Sequence, residues 1–198
     1  LLVGAFFVAP DVFSGTRRDI GWTWMRDLAG PGQDVQFGFH GDALSLTFAL
    51  LALGIGGVVL LYSAAYLHED DKPRSFYIFM TGFALSVLIL VLAADVVVLF
   101  VGWELVSIAS FLLIAQSGSA GEKGASRTLI LTFFGGLTLL AALGIAVAVT
   151  GTTNIEAIVA SPAWESSGLT TAFALLIACS GFTLSLIHIS EPTRLGMI

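Results

Sequence analysis

Apolar residues in this chain come in long runs rather than at alternating or amphipathic spacings, and polar residues fall in the short gaps between them. Five runs cover residues 42–62, 76–94, 96–116, 125–149 and 170 to about 183. A helix needs about 20 consecutive apolar residues to cross a hydrocarbon core roughly 30 Å thick, and the first four runs are close to that length. Pro73, the glycine-rich stretch 118–124 and Pro162 lie in the gaps, where they are expected to break the helices. Asp95 alone separates the second run from the third, which predicts a tight turn there. Residues 1–9 are apolar but lack a basic leader segment, so they are expected to be the end of a truncated helix. The pattern predicts an all-α fold: a polytopic transmembrane helix bundle of about five full or nearly full helices, plus that truncated one.

Composition agrees with this reading. Of 198 residues, 57% are hydrophobic and 11% charged, against about 25% charged in ordinary soluble domains. The formal net charge of −6 carries little weight, because acidic residues do not set membrane orientation. Lysine and arginine do. Lys72, Arg74, Lys123 and Arg127 lie in short loops on one side, whereas Arg17, Arg18 and Arg26 share one long loop on the other. The side with four cations is expected to be cytoplasmic. The first full helix then starts outside, after Trp22 and Trp24, which suit an interfacial anchor. No basic patch points to nucleic acid, and the single cysteine, Cys179, cannot form an internal disulfide. Gly54, Gly56, Gly57, Gly135 and Gly136 would allow helices to approach closely. There is no convincing internal repeat.

One residue stands out chemically. Glu104 lies eight residues past Val96, roughly 12 Å into its helix at about 1.5 Å per residue. That is near the middle of the bilayer, where a charged side chain costs on the order of 2.5–3.5 kcal/mol or more. Such a carboxyl must face the bundle interior, find a partner or be protonated. Removal from water favours its neutral form and suits it to picking up and releasing protons. Ser107 lies on nearly the same helical face and could donate to it or hold a water. The plainer alternative is a glutamate that only bonds a neighbouring helix. Asp42 and Asp95 sit at helix ends, where a cap or turn explains them better than chemistry. His40 and His68 flank helices in polar loops, with no second ligand at metal-site spacing. No nucleophile elbow, phosphate-cradling loop or Cys/His cluster appears, so neither an enzyme, a metal nor a cofactor is expected.

The stretch 95–114 reads Asp-Val-Val-Val-Leu-Phe-Val-Gly-Trp103-Glu104-Leu-Val-Ser-Ile-Ala-Ser-Phe-Leu-Leu-Ile. It resembles the fifth-helix motif of antiporter-like membrane proteins. These include the A-type subunit of Mrp-type multisubunit sodium/proton antiporters and the proton-pumping subunits of respiratory complex I. Asp42-Ala-Leu-Ser45, and Tyr62-Ser63 with Tyr66, are similar to the start and end of the family's third helix. Thr132-Phe-Phe-Gly-Gly136 is similar to the pattern of the Mrp A-type subunit, where complex I subunits have Asn-Arg-x-Gly-Asp. The resemblance covers residues 37–183. It implies a membrane subunit of a hetero-oligomeric cation/proton antiporter in the bacterial inner membrane, with other subunits, protons and Na+ as partners. The alternatives are a proton-pumping subunit of complex I and, in another class, a passive membrane scaffold.

The family couples this glutamate to a lysine two helices later. Gly181-Phe-Thr183 matches the residues that precede that lysine, but Leu184 stands in its place. Residues 184–198 turn from apolar to mixed polar and resemble the translation of a transposase-type DNA-library adapter. They are expected to be a translated adapter artefact, so His188 and Glu191 carry no functional weight.

Overall fold

A computed structural model describes residues 15, 18–26, 34–66, 73–116 and 118–190. Among the described residues two strands come first, β1 (Arg18–Met25) and β2 (Val35–Gly41). Seven helices follow: α1 (Ala43–Tyr66), α2 (Pro73–Val91), α3 (Val96–Ala115), α4 (Gly118–Thr150), α5 (Ile155–Val159), α6 (Ala163–Ser167) and α7 (Thr170–Ser190). Among the described residues four spans are long and apolar enough to cross a membrane: Ala43–Ala65, Arg74–Val91, Val96–Ala115 and Gly124–Thr150. The all-α membrane fold expected from the runs is therefore present, and this is a multi-pass membrane protein. The long helices stand in a row, α1–α2–α3–α4–α7, each packed mainly on its neighbours. Large apolar side chains such as Phe48, Ile55, Ile78 and Phe133 point outward, as a lipid-facing row requires.

One end of the row is stitched by backbone hydrogen bonds. The turn between α2 and α3 bonds β2 through His40 N–H to Leu92 O (2.7 Å) and Ala94 N–H to Gly38 O (3.0 Å). It also bonds the segment after α4, through Val96 N–H to Thr153 O (2.9 Å) and Ile155 N–H to Ala94 O (3.1 Å). Asp95 sits at the centre, 4% exposed. Its Oδ1 caps α3 by accepting from Val97 N–H (2.8 Å), and its Oδ2 accepts from the Thr153 hydroxyl (2.6 Å). Burial pushes the Asp95 carboxyl above its ordinary pKa, with those hydrogen bonds opposing. Beside this cap, Val96, Ala146 and Ile158 form a small core, closed by Trp164 and Phe173.

Four expectations change. Arg18–Met25 and Val35–Gly41 pair as antiparallel strands rather than lying in a loop. Trp22 stacks on Phe37 at 5.1 Å between ring centroids while remaining exposed. The stretch 118–124 does not break a helix. α4 starts at Gly118, because Ala120, Glu122, Lys123 and Ala125 favour helix enough to carry the glycines. The gap 151–169 holds α5 and α6, with Gly151 (φ 69°) and Gly168 (φ 65°) making left-handed exits that glycine tolerates best. The helix expected to end near residue 183 runs on to Ser190, since neither proline nor glycine interrupts 184–190. Residues 1–9 and His68 lie outside the described residues.

Candidate functional site

α3 is nearly all apolar, so its one carboxylate is placed by what packs on either side. Toward α2 the helices meet at Gly102. A Cβ there would lie 2.8 Å from both N and Cα of Leu90, so only glycine permits this crossing. Toward α4 they meet at Glu104 itself. Its carboxyl fills the space beside Gly136, where an added Cβ would overlap Oε1 and stand 3.3 Å from the carboxyl carbon. Glu104 is partly buried, and among the described residues it has no hydrogen-bond donor or cation partner.

The neighbouring polar groups are hydroxyls. Ser107 is buried, and its hydroxyl donates to Trp103 O (3.0 Å) rather than to Glu104. Its oxygen still has acceptor capacity for a water. On α4, residues Ala125, Thr128, Thr132, Gly136, Leu139, Ala142 and Ala146 form one buried stripe. Thr132 lies about one turn from Gly136 on that stripe. It donates to Thr128 O (3.0 Å) and keeps its own oxygen free to accept. Neither Thr128 nor Thr132 stands out in the sequence by residue type. Their i, i+4, i+8 spacing to Gly136 is the signal that finds them.

The remaining candidates take structural places. Asp42 caps α1 by accepting from Ser45 N–H (2.7 Å), while Ser45 Oγ accepts from Asp42 N–H (2.9 Å). The Ser45 amide beside it holds the Asp42 carboxyl below its ordinary range. Asp42 and Asp95 are thus both caps, as expected. His40 lies in β2 rather than a loop, because the strand continues to Gly41. Its Nδ1 pairs with Asp19 at 2.5 Å, and its Nε2 stands 3.9 Å from Asp42. Gly54 and Gly57 meet open space and Gly56 only Ala84 (3.8 Å), so the close approach expected of these glycines belongs instead to Gly102 and Gly136.

Residues 24–77 match the family described as NADH-ubiquinone oxidoreductase (complex I), chain 5 N-terminus. Residues 93–190 match the family described as NADH:quinone oxidoreductase/Mrp antiporter, transmembrane. The antiporter subunit mnhA2 of Staphylococcus saprophyticus is 36% identical over 181 residues, covering 89% of this chain and 22% of that protein. The A1 subunit of the Na+/H+ antiporter of Staphylococcus aureus is 41% identical over 112 residues, 56% of this chain and 14% of that protein. A chain of the Mrp complex from Dietzia sp. DQ12-45-1b superposes with a TM-score of 0.79 at 38% identity, covering 92% of this chain and 20% of that one. A chain of an archaeal respiratory complex, the membrane-bound sulfane sulfur reductase, shares the fold with a TM-score of 0.61 at 23% identity. The chain spans 22% or less of the length of these curated relatives.

Proposed function

Since this chain belongs to the antiporter-like membrane family shared by NADH:quinone oxidoreductase and the Mrp antiporters, on the branch of the Mrp A-type subunit, we propose that Glu104 carries protons in a multisubunit Na+/H+ antiporter. The observation that carries this reading is the placement of Glu104. It is the one ionisable side chain within the span Val96–Ala115, partly open, and unpaired among the described residues. A carboxylate left so at mid-membrane costs several kcal/mol unless it is protonated or hydrated, so its free energy responds strongly to a proton or a nearby cation.

In this mechanism Glu104 takes a proton from a hydrated path at the α3–α4 seam and releases it when a cation approaches. Ser107 and Thr132 supply hydroxyl oxygens that hold water beside it. In this reading the cation is a lysine, expected at the position that Leu184 occupies here. Na+ exchange, companion subunits and a bacterial inner membrane belong to the same proposal, as does an outward-facing hairpin end. The Na+/H+ name of a relative at 41% identity favours antiport over a role in complex I.

The test uses the full-length protein, incorporated in its complex, in everted membrane vesicles. Glu104→Ala and Glu104→Gln are expected to abolish Na+-driven proton movement while the complex still assembles. Normal exchange by Glu104→Gln would defeat the reading and favour a passive scaffold, because glutamine keeps the size and polarity of the side chain and loses the titration.

A further inference from the structure

Gly136 sits in the interior of α4, where glycine is a poorer helix former than alanine. Its backbone is helical and does not require glycine. What requires it is Glu104: the volume a Cβ would fill holds Oε1, with the carboxyl carbon at 3.3 Å and Oε2 at 3.9 Å from that point. Gly144, two turns further along α4, meets nothing within 4 Å. Gly102 meets the backbone of Leu90, which cannot yield without moving a helix. At Gly136 the obstructing atom is instead the end of a flexible side chain. A methyl group there would leave the fold in place and turn the carboxyl away.

We propose that Gly136 is a positioning residue for Glu104, its absent side chain forming the seat that fixes the carboxyl at the α3–α4 seam. This rests on the reading of Glu104 as a proton carrier. The seat keeps the carboxyl against α4 at Gly136, on the same buried stripe that carries Thr132 one turn away. Glu104 is the only titratable residue in α3, and Tyr77 and Arg74 belong to the first turns of α2. On α4, Arg127 lies nine residues before Gly136, roughly 13 Å along the axis, and Lys123 and Glu122 lie farther toward the start of that helix.

The experiment measures Na+-driven proton movement across a pH series in everted vesicles, per assembled complex, for the full-length protein. The variants are Gly136→Ala, Glu104→Asp, the double variant, Gly144→Ala and Glu104→Gln. Gly136→Ala is expected to cut the rate about 10- to 100-fold, as misplacing a reacting group does, and to displace the pH profile. The double variant is expected to exceed Gly136→Ala, because aspartate vacates the space the new methyl needs. Gly144→Ala is expected to behave as wild type. A wild-type rate and pH profile for Gly136→Ala, or no recovery in the double variant, overturns the proposal alone. Normal transport by Glu104→Gln overturns the proton-carrier reading and this proposal with it.

Discussion

A missing side chain decides each of two helix crossings in this protein, at Gly102 and at Gly136, and the two respond differently to change. At Gly102 the neighbour is backbone, so Gly102→Ala must force α3 and α2 apart. It is expected to cost about 1–3 kcal/mol, as overpacking does, measured by unfolding in detergent. Gly56→Ala, which meets only Ala84 Cβ at 3.8 Å, is expected to be neutral in the same measurement or slightly stabilising. Trp103 adds a second residue-scale case. Its indole N–H is buried without a partner among the described residues. Trp103→Phe removes that unpaired donor, a gain, but also shrinks the ring system, a cost. The net change is expected to stay within about 1 kcal/mol in the same measurement; a loss of about 3 kcal/mol or more would show that the N–H has a partner.

Helix ends supply the next set of consequences. α3 starts at Asp95 because its carboxylate replaces the missing acceptor for Val97 N–H while also holding Thr153. Asp95→Ala removes both bonds and is expected to cost about 1–2 kcal/mol. The pH response follows from burial. With the folded pKa raised above the unfolded one, this group's contribution is greatest below the unfolded pKa and declines as pH rises through the folded pKa. Asp95→Asn keeps an oxygen for the cap and carries no charge, so it should flatten that component of a stability-versus-pH curve. An unchanged slope would show that another group carries it. Asp42 has the opposite sign: its contribution is present above the unfolded pKa and is lost as acid titrates the folded carboxyl. The hairpin is the element that the long apolar runs obscure. Its alternation is nonetheless present, in Ile20, Trp22, Trp24 and again in Val35, Phe37, Phe39, the period of a strand.

At the scale of the whole molecule, the row of helices has two unlike ends. One is closed by β2, the turn at Asp95 and the segment around Thr153. The other carries Arg74 and Arg127. The charge rule predicts that the closed end faces outward. In a chain with Cys179 replaced by serine, Ala160→Cys should react with a membrane-impermeant maleimide in intact cells. Gln116→Cys, at the far end of α3, should react only after permeabilisation. The reverse labelling pattern would invert the orientation. The row also leaves α1 packed on one long neighbour, with Phe48, Leu51, Ile55 and Val58 exposed along it.

Sequence alone was enough for the spans, the turn at Asp95, both aspartate caps and the place of Glu104 inside its span. Each is a property of a local run: hydropathy is read residue by residue, and a cap is set by its nearest few amides. What only the tertiary structure decided joins residues far apart in the chain. Glu104 meets Gly136, Asp95 meets Thr153, and His40 meets Asp19 across the hairpin. No periodicity encodes such a meeting, because it depends on how neighbouring helices cross. The glycines show the difference most plainly. Composition marked Gly54, Gly56 and Gly57 together with Gly135 and Gly136, but which one receives a neighbour depends on the face each crossing presents. The crossings chose Gly102 for a backbone and Gly136 for a carboxylate.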